Sequence, residues 1–246
     1  MNYTDIHIHA LFGADDGAKT EAEMQAMIEA AYKDGTRAMC FTPHFHPGFF
    51  GDNRKKVDSA FASAKAYAAD KYPDMKLYIG NELRYSNGCV SWIADGDCRT
   101  INGTDVVLVD FLWSDSGKSI VEGLEKLLNA GYRPLLAHVE RYENLKKGMI
   151  TELVNNGVWL QVNAASVTGA NGVRVKLRAN MLLKARMVDF ISTDAHNMDS
   201  RPPVMSAAYK IIEKKCSKGY ADAVCFKNAL QMLTSGAEEG LVVNHE

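Results

Sequence analysis

Hydrophobic runs of strand length alternate along the chain with longer runs in which apolar residues recur at helical spacing. The run at residues 106–111 is almost continuously apolar, which is typical of strands buried in a parallel sheet, whereas residues 5–9 alternate between polar and apolar positions. We predict strands at residues 5–9, 37–42, 75–80, 106–111, 133–137, 158–162 and 188–192. We predict helices at residues 20–34, 53–70, 119–130, 150–156, 173–185, 204–215 and 221–233, and Gly35 should end the first of them.

This alternation predicts an α/β fold of seven strand–helix units. Seven units favour a closed or nearly closed parallel barrel of the (β/α)7 type, similar to a TIM barrel, although element order alone leaves an open doubly wound sheet as the alternative. No linker rich in Gly, Ser or Pro separates the units. We therefore predict a single domain over residues 1–246.

Polar clusters that contain six of the seven histidines follow the predicted strands. Side chains two residues apart on a strand point the same way, so His7 and His9 form one pair, and Asp194 and His196 share that spacing. One such histidine alone would best be interpreted as a hydrogen-bonded core residue, but six at strand ends indicate a shared site. With four carboxylates, these histidines make ten candidate ligands: His7, His9, Asp16, His44, His46, Glu82, Asp110, His138, Asp194 and His196.

The number of these side chains bears on how many metal ions they hold. Imidazole and carboxylate groups together suit borderline transition metals. A single catalytic zinc needs only about three protein ligands, so this set predicts two or three ions, with Glu82 as the natural bridge.

Composition restricts the function classes further. The chain has a net charge of -2 and no large basic block, which does not favour nucleic-acid binding. No apolar run approaches the roughly 20 residues that span a bilayer, and we expect no signal peptide because the N-terminus passes directly into a strand. The five cysteines lack Cys-x-x-Cys spacing, which predicts free thiols and a cytoplasmic location.

Several common catalytic motifs are missing from the sequence. There is no Gly-x-Ser-x-Gly turn, no Cys-x5-Arg loop of the cysteine phosphatases and no phosphate-binding Gly-x4-Gly-Lys-Ser/Thr loop. Nucleophilic cysteine catalysis and nucleotide switching are therefore excluded.

An ordered set of motifs, carried by the same strand ends, runs from residue 5 to residue 203. The motifs are DIHIH (5–9), DDGAK (15–19), TPH (42–44), GNELRY (80–85), AHVERY (137–142), QVN (161–163), STDAHN (192–197) and RPP (201–203). In this order the chain resembles the polymerase and histidinol phosphatase (PHP) superfamily. The resemblance is greatest to its capsule-locus branch, the manganese-dependent protein-tyrosine phosphatases of Gram-positive bacteria.

The resemblance implies a distorted barrel of the PHP fold with up to three divalent ions, Mn first and Fe or Zn as alternatives. The implied ligands are His7, His9, Glu82 and Asp194 for one ion, Glu82, Asp110 and His138 for a second, and Asp16, His44 and His196 for a third. Asp110 departs from the branch, which carries Glu there, and the shorter side chain either recedes from the metal or acts through water. Asp15 competes with Asp16, and neither His46 nor His245 matches a ligand position.

The implied activity is metal-dependent hydrolysis of phosphate monoesters, most of all protein phosphotyrosine, by a metal-activated water. Arg141 and Arg201 follow two of the histidine clusters, and their planar guanidinium groups suit phosphate oxygens. The resemblance places both in the site as catalytic residues. It also implies a phosphotyrosine protein as partner, such as a bacterial tyrosine kinase of polysaccharide export, and leaves the oligomeric state open.

Other functions remain as alternatives. A PHP enzyme could act on a small metabolite such as histidinol phosphate, or on a nucleic-acid 3′ end, which the charge balance disfavours. A metal-dependent amidohydrolase also begins with His-x-His but usually carries a metal-bridging lysine at a strand end, whereas Lys176 and Lys184 lie in a predicted helix. A regulatory protein with a degenerate metal site is the non-enzyme alternative.

Overall fold

The computed structural model describes residues 2–50 and 53–234. Within them, parallel strands alternate with helices. The strands are β1 Tyr3–Ile8, β2 Thr36–Phe41, β3 His44–Phe45, β4 Lys76–Ile79, β5 Glu82–Arg84, β6 Val106–Asp110, β7 Arg133–Leu136, β8 Trp159–Asn163 and β9 Phe190–Ser192. The helices are α1 Glu21–Asp34, α2 Arg54–Lys71, α3 Cys89–Ala94, α4 Gly117–Asn129, α5 Lys147–Asn155, α6 Ala164–Thr168, α7 Val173–Lys184, α8 Ser206–Lys215, α9 Lys218–Asp222 and α10 Asn228–Thr234.

The strands form two parallel sheets that continue into one another. One sheet has the order β1-β2-β4 and the other has the order β3-β5-β6-β7-β8-β9. A parallel bridge between Ile8 and Ala195 joins β1 to the chain after β9, and the His9 amide donates to the Ala195 carbonyl at 2.9 Å. The result is an α/β fold whose curled parallel sheet forms a half-barrel, consistent with a distorted TIM-like barrel.

The predicted strands and long helices are present with small changes at their ends. Thr20 caps α1 by accepting from the Glu23 amide, and Gly35 ends it in the left-handed region at φ 113°, as the sequence predicted. The helix predicted at 221–233 is instead divided by a π-helical turn at Ala223–Lys227. The two- and three-residue strands β3 and β5 were not predicted, because such short segments carry no periodicity.

Alternate residues of the strands fill the interior of the curled sheet. Ile6, Cys40, Leu108 and Leu135 belong to one buried apolar cluster there, and all five cysteines are free. Because the strands are parallel, their carboxyl ends lie together at one edge of the sheet. The loops that follow the strands meet at this edge, next to the buried apolar cluster. No helix within the described residues is long and apolar enough to cross a membrane.

Candidate metal centre

The nine side chains predicted as metal ligands meet at the carboxyl edge of the sheet. They form three groups in which the potential ligand atoms lie within 4.8 Å of one another. The groups are His9, Asp16, His44 and His196, then His7, His9 and Asp194, and last Glu82, Asp110 and His138. His9 therefore belongs to two groups, whereas the family resemblance implied that it belongs to one.

Glu82 lies at the centre of the three groups. Its Oε1 is 3.0 Å from His138 Nε2 and 3.3 Å from His7 Nε2, and its Oε2 is 2.8 Å from His44 Nδ1 and 3.3 Å from His9 Nε2. Glu82 is only 1% exposed. Four imidazoles thus converge on both oxygens of one buried carboxylate, as expected of a side chain that bridges two cations.

The polar atoms at this edge of the sheet are arranged to bind divalent cations, because some of them lack hydrogen bonds to each other. Glu82 Oε2 and His196 Nε2 are buried and, among the described residues, have no partner in hydrogen-bonding geometry. Buried polar atoms normally have a hydrogen-bond partner. Nitrogen and oxygen atoms that lie close together without such a bond indicate that their lone pairs face a shared position for a cation. Nitrogen and carboxylate donors in this mixture suit Mn, Fe or Zn.

Neighbouring polar side chains hold the imidazole rings in place. The Asp15 carboxylate lies 2.7 Å from His9 Nδ1 and accepts from the His44 amide at 2.9 Å. Asp15 therefore orients two candidate ligands, His9 and His44, whereas Asp16 is itself a member of a candidate ligand group. The sequence had left Asp15 and Asp16 as alternatives for that position. Such carboxylate–imidazole contacts fix the tautomer and the ring orientation.

A second chain of hydrogen bonds starts at Gln161 on β8. Its Oε1 lies 3.1 Å from His7 Nδ1 and accepts from the His138 amide at 2.7 Å, while its Nε2 donates to Asn163. Asn163 Nδ2 in turn donates to Asp194 Oδ2 at 2.7 Å. The alternation of residues 161 and 163 on one strand face could have indicated this role from the sequence.

The backbone is strained at two of the ligand candidates. His138 has φ 33° and Asp194 has φ 52°, a region that residues other than glycine seldom adopt. Close packing also explains the glycine of DDGAK, because a Cβ on Gly17 would lie 1.8 Å from the His9 carbonyl oxygen. The loop that carries Asp15 and Asp16 can approach His9 only with glycine at this position.

Arg141 and Arg201 both reach the same carboxylate. Their terminal nitrogens lie 3.3 Å and 2.6 Å from the two oxygens of Asp194. Both arginines, with His138 and Trp113, line a cavity of about 480 Å³ above the ligand groups. Because a guanidinium has five donors, each arginine keeps N–H groups for a ligand in the cavity.

Arg84 is a third guanidinium in this cavity, and the sequence reasoning did not single it out. Its Nε and terminal nitrogen lie 2.9 Å and 2.7 Å from the two oxygens of Asp110, a bidentate pair. Arg84 is two residues after Glu82 on a strand, so the period-two rule could have placed both side chains on the same face. Asp110 lies in the group with Glu82 and His138, as predicted, but both of its carboxylate oxygens are paired with Arg84.

The two buried aspartates have opposite pKa shifts. Burial alone would raise the pKa of Asp194, but the charges of His7, Arg201 and His138 hold it well below its ordinary value. For Asp110, burial and the charge of Glu82 raise the pKa well above its ordinary value, and Arg84 only partly opposes this. Burial lowers the pKa of His138 to about 4, so its imidazole is neutral near pH 7, the form that binds metals.

His46 falls outside the three candidate ligand groups. His46 stacks on Phe49 with ring centroids 5.6 Å apart, and it lines a separate cavity with Arg84 and Tyr85. His245 lies outside the described residues.

Comparison with known families identifies the chain. A family model described as capsular polysaccharide synthesis, CpsB/CapC, matches residues 3–234. The chain belongs to this family. The tyrosine-protein phosphatase CpsB of Streptococcus agalactiae serotype III is 32% identical over 236 residues, which cover 93% of this chain and 97% of that protein. These matches confirm the resemblance drawn from the strand-end motifs.

Relatives in the CpsB/CapC family also include solved structures. A chain from the crystal structures of YwqE from Bacillus subtilis and CpsB from Streptococcus pneumoniae, metal-dependent tyrosine phosphatases, superposes with a TM-score of 0.87. It is 25% identical and covers 96% of each chain. Histidinol phosphate phosphatase from Lactococcus lactis superposes with a TM-score of 0.57 at 16% identity, covering 88% of this chain and 95% of that one, which shows a shared fold alone.

Proposed function

We propose that the chain is a metal-dependent protein-tyrosine phosphatase. The observation that carries this proposal is the position of Arg141 and Arg201, which lie on the wall of the cavity directly above the three groups of ligand atoms. Relatives that are named tyrosine-protein phosphatases align over almost the whole chain, which supports the same reaction.

We assign the nine grouped residues as ligands of two to three divalent ions, with Mn as the first choice and Fe or Zn as alternatives. Bound there, the ions would supply positive charge next to the phosphoryl oxygens and would activate water. Asp15 and Gln161 keep the imidazoles of His9 and His7 in the orientation in which their Nε2 atoms face Glu82.

Arg141 and Arg201 act on the phosphoryl group. Their free N–H donors would bind non-bridging oxygens of the ester, and the Asp194 carboxylate fixes both guanidiniums from below. A phosphotyrosine leaving group is a phenolate whose pKa is near 10, so it needs less help from a general acid than an alkoxide does. A site whose arginines bind the phosphoryl group can therefore cleave an aryl ester without a strong general acid.

Several finer points belong to the proposal as well. Thr42 and Pro43 separate β2 from β3, and Gly80 and Asn81 separate β4 from β5. Counting each pair as one interrupted strand gives the seven units of a (β/α)7 barrel in one domain over residues 1–246. A tyrosine kinase of polysaccharide export as substrate and a cytoplasmic location stay predictions.

A substrate panel tests the reaction class. The protein should be assayed with manganese on a phosphotyrosine peptide, the matched phosphoserine peptide, histidinol phosphate and an amide substrate. We expect the phosphotyrosine peptide to give the largest kcat/KM. A preference for histidinol phosphate would favour the small-metabolite alternative, and turnover of the amide alone would overturn phosphatase activity.

Paired histidine variants test the site. His44→Ala removes an imidazole of the ligand group, so turnover should fall by at least about 100-fold. His46→Ala, two residues away and outside the groups, should leave turnover within about twofold. His138→Ala should abolish turnover while the circular dichroism spectrum is retained. Equal activity of the two variants at positions 44 and 46 would contradict the site.

A further inference from the structure

A second cavity adjoins the candidate catalytic cavity. It has a volume of about 650 Å³ and shares three wall residues with the first, namely Trp113, Arg141 and Arg201. Glu143, Asn144, Asn171 and Val175 line only the second cavity. A ligand whose phosphoryl group lies between the arginines therefore has a continuous path into this cavity.

The walls of the second cavity suit a polypeptide. Asn144 Nδ2 donates to the Asp115 carbonyl and Asn171 Nδ2 donates to Ser166 Oγ, each at 3.0 Å. Within the described residues neither amide oxygen accepts a hydrogen bond, so both are available to the N–H groups of a peptide backbone. Trp113 is 68% exposed at the junction of the two cavities, and large exposed aromatic residues commonly anchor binding partners.

Glu143 gives this cavity a charge opposite to that of the arginines. Its side chain is exposed and makes no ion pair or hydrogen bond within residues 2–50 and 53–234. The charge of Arg178 attracts the Glu143 carboxylate, but the Arg178 guanidinium donates its hydrogen bonds to the backbone carbonyls of residues 140, 142 and 145. Lys146 also lies close, but its ammonium donates to the Glu143 carbonyl at 3.1 Å and forms no ion pair with the carboxylate. Beyond the two arginines, the wall of the second cavity thus carries a carboxylate that no described cation pairs with.

We propose that the second cavity binds the peptide segment next to the phosphotyrosine, and that Glu143 selects a substrate with a Lys or Arg side chain in that segment. This inference rests on the proposed phosphatase activity and adds a substrate class to it. A phosphate dianion at one end and a basic side chain a few residues away complement the two charged walls.

Matched peptides test the proposal. Three phosphotyrosine peptides should differ only by Lys, Ala or Glu at the flanking positions, and free phosphotyrosine serves as the reference that does not reach the second cavity. For the wild type at low salt we expect kcat/KM for the Lys peptide to exceed that for the Glu peptide by about fivefold, the ratio typical of one exposed ion pair. Glu143→Gln should remove this preference, and Glu143→Lys should reverse it.

A charge change elsewhere on the surface provides the control. Glu152 is exposed on α5, and Glu152→Lys makes the same charge change as Glu143→Lys. The wild-type preference should survive in this variant. A reversal by Glu152→Lys, or an unchanged preference in Glu143→Lys, would overturn the proposal.

Binding measurements separate this inference from the proposed function. Fluorescence anisotropy of labelled Lys and Glu peptides reports the preference without turnover. If the wild type hydrolyses free phosphotyrosine but binds and cleaves both peptides equally, the second-cavity proposal is wrong and the phosphatase assignment stands. If no phosphate ester is hydrolysed, the assignment fails and the proposed substrate class fails with it.

Discussion

Asp194 and Asp110 are both buried at the carboxyl edge of the sheet, yet their surroundings differ. Asp194 faces two imidazoles and two guanidiniums, with His7, His9, Arg141 and Arg201 all within 3.6 Å. Asp110 faces the Arg84 guanidinium on one side and the charge of Glu82 on the other. The cationic neighbours keep the carboxyl of Asp194 ionised, whereas the pKa of Asp110 rises.

This difference shows that burial alone does not decide how the two carboxylates behave. Desolvation raises the pKa of both groups, and the number of nearby cations determines the direction of the net shift. The charge of Asp194 is already balanced by cationic side chains, and we assign two of these, Arg141 and Arg201, to binding of the phosphoryl group. Asp110 itself has one nearby cation, Arg84, which does not offset burial and the charge of Glu82.

Removing the charge of Asp194 should have the largest effect. Asp194→Asn leaves both arginines and two imidazoles without their shared carboxylate, so phosphotyrosine peptide turnover should fall by at least about 100-fold. Asp70→Asn, an exposed aspartate on α2, is the control and should stay within about twofold. An Asp194→Asn enzyme with near-normal kcat/KM would contradict the view that this carboxylate organises the site.

The Arg84–Asp110 pair should have an intermediate effect. We expect Asp110→Asn to lower turnover by about 10- to 100-fold and Arg84→Gln by about 10-fold. If Arg84 acts by positioning Asp110, the double variant should lose no more than Asp110→Asn alone. Losses that multiply in the double-mutant cycle would instead indicate that Arg84 contacts the substrate independently.

Asp189 provides a reference for burial without a nearby cation. Its carboxyl accepts from the Leu160 amide at 2.8 Å, and burial raises its pKa to about 7. Asp189→Asn should leave turnover within about twofold, because the residue lies outside the three ligand groups.

The effect of Asp189 should be on stability and should depend on pH. Below about pH 3.9, the ordinary pKa of an aspartate in the unfolded chain, Asp189 is protonated in both the folded and the unfolded state, so its ionisation does not affect stability. As the pH rises towards 7, the unfolded chain releases this proton while the folded chain retains it, so the wild type loses stability and Asp189→Asn does not. In urea unfolding of metal-free protein, the stability advantage of the variant should grow by about 3 kcal/mol between pH 5 and pH 8. A constant difference would show that burial does not raise this pKa.

The long elements, and the meeting of the candidate ligands at one edge of the sheet, could be predicted from the sequence because both depend on local patterns. Strand ends in a parallel sheet meet at one edge, so His7, His138 and Asp194 could be placed together without knowledge of distances. The end of α1 at Gly35 followed from an equally local rule.

The parts that the sequence did not predict depend on contacts between distant segments. The division of roles between Asp15 and Asp16 is set by where the DDGAK loop touches His9, which Gly17 makes possible. The pairing of Arg84 with Asp110 joins two adjacent strands, and its register is visible only once β5 is known to exist. Local periodicity carries no information on either contact.

Metal content measured together with turnover tests the central claim most directly. The purified protein should be analysed for Mn, Fe and Zn per chain and assayed on the phosphotyrosine peptide, then both measurements should be repeated after chelation and after return of manganese. We expect more than one ion per chain, loss of turnover with the metal, and recovery when manganese is added. Full turnover by a protein stripped of metal would contradict the account.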